Sequence, residues 1–120
     1  MRKIGNGEFG IIYEGLKGTK AVRFLLRKKT GEVAGAFYHR EIGSVDIFWG
    51  NEDVGLKKIL QKHPEVVNKM QKILNESKVV SKTFNRIKLE SLDHKTVVRL
   101  DWNGQQKTWL LTMYEKTVTK

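Results

Sequence analysis

Asn103-Gly104 sits between two β-rich runs, about 94–102 and 105–115. An Asn-Gly pair in that setting predicts a hairpin closed by a type I′ two-residue turn, which needs positive φ at both central residues. Counting outward from the turn opposes Trp102 to Gln105, Val98 to Trp109 and Lys95 to Thr112. One face then carries Val98, Leu100, Trp109, Leu111 and Met113 and reads as core. The other carries Lys95, Val97, Arg99, Asp101, Thr108, Leu110, Thr112 and Tyr114. Side chains alternate with period two, so a slip of one residue buries arginine and exposes tryptophan; the register is well specified.

Upstream the period is helical. Thr19 is a candidate N-cap for a helix over 20–29 that turns Val22, Leu25 and Leu26 inward and ends at Thr30-Gly31. Two more helices are predicted over 54–63 and 65–76, the second burying Val66, Val67, Met70, Ile73 and Leu74. Residues 1–18 are rich in glycine and read as an extended entry segment. The 31–39 stretch is ambiguous between irregular and strand-like, and 44–49 has β character. After residue 77 strands are predicted over about 78–84, 86–92, 94–102 and 105–115. The expectation is one α+β domain over 1–120, mainly helical over 19–76, with N-terminal helices packed on a C-terminal antiparallel sheet of about four strands over 77–116.

The charge points to a polyanion. Lys plus Arg number 23 against 13 Asp plus Glu, a formal net charge of +10. Residues 54–88 hold Lys57, Lys58, Lys62, Lys69, Lys72, Lys78, Lys82, Arg86 and Lys88 against Glu65 and Glu76. Such a cluster on a small domain is the electrostatic footprint of a nucleic-acid binder or of a protein that docks an acidic partner. The chain has no cysteine, which excludes thiolate chemistry and disulfides. His39, His63 and His94 show no metal-binding spacing, and no cofactor is indicated. No apolar run approaches a membrane span. The N-terminus lacks the apolar stretch of a signal peptide.

Leu56, Ile59, Leu60 and His63 fall at i, i+3, i+4 and i+7, so His63 shares the inward stripe of the 54–63 helix. Pro64 disfavours helical backbone at His63 and places it at the last turn, between core and surface. Lys58 and Lys62 flank it. A histidine in that position suits proton transfer. A half-buried histidine that only finishes a helix has the same pattern.

The blocks GEVAGAFYHREIG (31–43), GSVDIFWG (43–50), GLKKILQKH (55–63) and KTWLLTMYEK (107–116) resemble, in that order, the barnase/EndoU/colicin/RelE-like toxin endoribonucleases of phages, mobile elements and polymorphic toxins. The resemblance spans about residues 10–116. Its motif falls on Asp46, Trp49, Gly55, Lys62, His63, Trp109, Thr112, Tyr114 and Glu115; where related sequences often carry histidine, this chain has Lys58. The resemblance implies a barnase/RelE-like fold and metal-independent RNA cleavage, with transfer RNA among the candidate substrates. It also implies action in the bacterial cytoplasm after release from, or delivery by, a larger phage or secreted protein, and an acidic antitoxin or immunity protein as partner.

Cleavage of that kind needs a base for the ribose 2′-hydroxyl, an acid for the leaving oxygen and cations for the charge on phosphorus. His63 is the candidate for proton transfer. Lys62 and Arg99 are candidates for phosphate and transition-state stabilisation, Thr112 for donation to a phosphoryl oxygen, and Tyr114 for donation or base stacking. Lys58, Arg86, Lys95 and Trp109 are expected to touch RNA. The neighbouring lysines lower the pKa of His63 and a helix C-terminus raises it, so its charge at neutral pH is left open. The alternative is a basic RNA-binding module without catalysis, or a degenerate toxin domain that docks an acidic inhibitor protein.

Overall fold

Gly7 and Gly10 turn the first residues back on themselves. The computed structural model describes residues 1–102 and 104–116. Strands β1 (Arg2–Gly7) and β2 (Gly10–Glu14) form an antiparallel hairpin closed by the Gly7–Gly10 pair. Gly10 has φ of 120°, and a Cβ there would stand 2.6 Å from Thr30 Oγ1 and 2.9 Å from the Gly31 nitrogen, so glycine is required. Helix α1 (Thr19–Lys28) then crosses to β3 (Glu32–His39), which lies parallel to β2. Strand β4 (Gly43–Phe48) returns antiparallel to β3. Helix α2 (Leu56–Lys62), a 3-10 segment (Pro64–Lys69) and helix α3 (Met70–Glu76) follow. The chain ends in an antiparallel meander of β5 (Lys78–Lys82), β6 (Arg86–Glu90), β7 (His94–Trp102) and β8 (Gln105–Glu115), and β8 closes in parallel on β4.

The result is one mixed sheet of eight strands in the order β1-β2-β3-β4-β8-β7-β6-β5. This corrects the expected four-stranded antiparallel sheet under N-terminal helices. Residues 1–18 are not a loose entry segment but contribute β1 and β2, and the span 19–76 holds β3 and β4 as well as helices. The cause is local. Gly35, at φ 64°, sits in an irregularity between Val33 and Phe37 that breaks the period-two pattern of β3. The β1–β2 hairpin is largely exposed and carries no alternating core face to read. Thr19 does not cap α1; it is the first helical residue, and Gly18 precedes it without a side-chain cap.

The helices bury one stripe each. Leu25 of α1, Leu56 and Ile59 of α2 and Ile73 and Leu74 of α3 join Val33, Phe37, Ile47, Leu89, Val98 and Met113 in the main core. Leu60, expected on the inward stripe, is exposed. A second cluster gathers Phe48, Trp109 and Leu111, flanked by Val97 and Trp102, and Phe9 of the first hairpin stacks on Phe48 at 5.0 Å.

The last hairpin keeps its predicted register only near the turn. Trp102 faces Gln105, but Arg99 faces Trp109, Val98 faces Leu110, Val97 faces Thr112 and Lys95 faces Tyr114. Irregularities fall between Arg99 and Asp101 and between Val97 and Val98. Each adds a residue to β8, as a β-bulge does. Leu110, expected on the second face, therefore enters the main core, while Trp109 and Leu111 join the aromatic cluster. Asn103 of the predicted turn lies outside the described residues.

Candidate active site on the open sheet face

The two bulges decide which β8 side chains meet α2. The Gly55 N–H donates to the Leu111 carbonyl at 3.0 Å, and the Lys57 N–H to the Trp49 carbonyl at 2.8 Å, which docks the start of α2 on β8 and β4. Gly55 has φ of 86°, and a Cβ there would stand 2.9 Å from the Phe48 ring and from the Phe48 and Trp49 carbonyls. Only glycine permits that approach. From this anchor Lys58 Nζ donates to Thr112 Oγ1 at 2.7 Å. His63 ends α2, its N–H bonded to the Ile59 carbonyl at 2.7 Å, and its ring lies 5.3 Å from that of Tyr114 at 32°. Thr112 and Tyr114 are two apart on one strand and share a face. Four half-buried side chains, Lys58, His63, Thr112 and Tyr114, thus converge where α2 meets β8.

Burial, reinforced by the Lys58 charge and by Lys62, holds His63 below the ordinary histidine range, against an upward pull from Glu65. These effects favour the neutral form of the ring. Burial also lowers Lys58, and Lys62 adds to it. Lys62 itself is exposed at the end of α2 and acts on both groups through its charge.

Register extends the face away from α2. Directly opposed residues share a face, so Lys95 lies beside Tyr114, Val97 beside Thr112 and Arg99 beside Trp109 on β7. One strand further, Lys88 lies beside Val97 and Arg86 beside Arg99. The acids of this surface are paired: Glu90 is bound by Lys116 at 2.9 Å, and Asp101 by Arg99 at 3.3 Å. Arg99 is not at the α2 junction: its Nε donates to the Asp101 carbonyl at 2.9 Å, and its guanidinium lies over Trp102 at 5.5 Å. Trp109, expected to touch RNA, is fully buried and donates from Nε1 to Glu32 Oε2 at 3.1 Å, so it serves the fold.

Three groups lie away from the junction. Asp46 accepts from the Gly35 N–H at 2.7 Å, and burial raises its carboxyl above the usual range. His39 is buried: Nε2 donates to the Ser77 carbonyl at 2.8 Å while Nδ1 accepts from the Glu41 N–H, which fixes the orientation of the ring. His94 opens β7 and is buried. A broad depression of about 930 Å³ bordered by Asp46, Asp101, Phe84 and Lys107 holds no histidine. Among the described residues no three His, Asp or Glu side chains converge as metal ligands, and no helix is long and apolar enough to cross a membrane.

Comparison with known protein families gives a match. A family model described as phage-Barnase-EndoU-ColicinE5/D-RelE like nuclease1 matches residues 36–120. The chain belongs to this nuclease family. No curated protein and no solved structure matches it. The matched residues contain β4, α2, β7 and β8 in full, and so the whole α2–β8 junction. In this nuclease the Lys58–Thr112 link is the feature the sequence did not disclose. Its partners are far apart in the chain, and their meeting depends on a bulge at Leu111 that the alternating pattern hides. Glu32 beneath Trp109 was missed for a plainer reason: a lone acid between glycine and valine carries no signal of burial.

Proposed function

We propose that the chain is an endoribonuclease whose reaction centre is the α2–β8 junction. The observation that carries this reading is the convergence of an imidazole that burial holds below the ordinary range, an ammonium and two hydroxyls on one open face. His63 takes the proton of a ribose 2′-hydroxyl as that oxygen attacks the adjacent phosphorus. The P–O bond to the 5′ oxygen of the next nucleotide breaks, leaving a 2′,3′-cyclic phosphate and a 5′-hydroxyl. Lys58, held by Thr112, and Lys62 stabilise the charge on the phosphoryl oxygens. Tyr114 orients the His63 ring and donates from its phenol. The leaving oxygen receives its proton from protonated His63 or from Lys58, whose lowered pKa suits an acid.

The basic face supports RNA as substrate, transfer RNA included, and an acidic inhibitor protein as the natural cover for the same surface. A nuclease of this kind meets its substrate in the bacterial cytoplasm after delivery by, or release from, a larger phage or secreted protein. The test is incubation of the purified protein with total RNA in the presence of a chelator, followed by mapping of the new ends. The expected products carry cyclic phosphate and 5′-hydroxyl ends. Products with 5′-phosphates, or cleavage that requires added magnesium or manganese, contradict the mechanism.

A further inference from the structure

Arg86 and Arg99 stand directly opposite one another on β6 and β7. Like charges in that position destabilise a sheet unless something answers them. Arg99 is held in place: its Nε donates to the Asp101 carbonyl at 2.9 Å and pairs with the Asp101 carboxylate at 3.3 Å, which answers part of its charge, and Trp102 lies beneath its guanidinium. Only Nε is taken up by Asp101, which leaves the terminal nitrogens to point elsewhere. Arg86 is exposed, and among the described residues its side chain has no partner. The hairpin beneath it is well tied, with the Arg86 N–H bonded to Thr83 Oγ1 and the Leu100 N–H to the Asn85 carbonyl.

We propose that Arg86 and Arg99 form a phosphate subsite for a nucleotide flanking the cleaved bond, rather than part of the reaction centre. The proposal rests on the reading of the α2–β8 junction as that centre. Arg99 is two residues along β7 from Val97, which faces Thr112. With a rise of about 3.3 Å per residue and about 4.8 Å between strands, its Cα lies about 8 Å from that of Thr112, and Arg86's about 12 Å. That is too far to share the phosphate held at Thr112, but within reach of the following phosphates of an extended strand. A planar fork from each side suits one phosphate, which two guanidinium groups can grip together. Lys88, beside Val97, lies on the path between. The RNA strand therefore runs across β7 and β6, away from α2, and the substrate is single-stranded.

A length series of oligoribonucleotides tests this, from a dinucleotide with one phosphate to a hexanucleotide. In the parent, kcat/KM should rise once an added phosphate reaches the arginine pair. In Arg86→Ala that rise should disappear, on the order of a five- to twentyfold loss confined to the longer substrates. Binding of the hexanucleotide supplies a second readout. Removing one phosphate contact lowers the slope of log affinity against log salt by about 0.7 for single strands. Lys82→Ala is the control; Lys82 faces buried Ile87, on the opposite face, and removes the same charge without the slope change. Equal losses of Arg86→Ala on all lengths, or a slope change matched by Lys82→Ala, overturn the subsite. If the parent cleaves nothing but the slope change appears, the reaction centre is wrong and the arginine pair stands as a phosphate contact of an RNA-binding face.

Discussion

Thr112→Val removes one hydroxyl and keeps the shape and branching of the side chain, so it separates the Lys58–Thr112 bond from the packing around it. That bond is 2.7 Å long and charge-assisted. Hydrogen bonds to charged groups contribute about 1.5–3 kcal/mol. Lys58 is long and only half-buried, so when freed it can turn to water. The stability cost should therefore lie at or below the bottom of that range, about 1–1.5 kcal/mol. For a domain of this size that is a fall in Tm of about 3–6 °C. Catalysis cannot recover in the same way, because an ammonium that has turned to water no longer faces the phosphoryl oxygens. The full range then applies to the barrier, a loss of about 10- to 150-fold in kcat. Thr112→Ser keeps the hydroxyl and should retain most of the rate. The assay is steady-state cleavage of a fluorogenic oligoribonucleotide by each variant, with thermal melts in the same buffer. A folded Thr112→Val enzyme that cleaves at the parent rate would show that the Lys58–Thr112 link has no part in the reaction. A Thr112→Ser enzyme as slow as Thr112→Val would show that the hydroxyl is not what matters.

Two further outcomes depend on pH. His63 must be neutral to accept a proton, so cleavage falls as pH drops through its pKa; burial, Lys58 and Lys62 depress that value, which puts the acid limb of kcat/KM below the ordinary 6.5. Lys58→Met removes one of those charges and should move the limb to higher pH, whereas a parent limb above 6.5 contradicts a neutral base. Burial raises the Glu32 carboxyl above its ordinary 4.5, although the Trp109 hydrogen bond and Lys107 oppose it. The folded state then binds that proton more tightly than the unfolded chain, so the stability it contributes is present below 4.5 and is lost as pH rises through the folded value. Glu32→Gln does not titrate and should gain in Tm over the parent on going from pH 4 to pH 8; a difference that stays constant across that interval refutes the assignment.

The legible parts of this chain are those with unbroken periodicity. The four C-terminal strands lie close to where alternation and turn residues put them, α1 follows its apolar stripe, and α2 does so except at Leu60. His63 at the end of α2, with Lys58 and Lys62 on the same helix, needed only the 3.6-residue period and the proline that follows. The failures trace to glycine and to bulges. Gly35 breaks the pattern of β3, and the exposed hairpin of β1 and β2 has no core face to betray it. In β8, two extra residues rotate Leu110 into the core and bring Thr112 opposite Val97, which no two-residue alternation can foresee. Arg99 was grouped with His63 because its charge was legible; its row in the sheet, opposite Trp109 and apart from α2, was not.

Cleavage and binding by His63→Ala, measured beside the parent on one single-stranded RNA in a chelating buffer, decide whether the α2–β8 junction is catalytic. A lost general base costs on the order of 100- to 10,000-fold in rate. Affinity should stay near the parent's, because the removed ring is neutral and the cations around it remain. Far-ultraviolet circular dichroism and a melt establish that the variant is folded. The expected result is a folded protein that binds RNA like the parent and leaves it intact; a folded His63→Ala protein that cleaves at the parent rate makes the surface an RNA-binding face and removes the reaction centre from this junction.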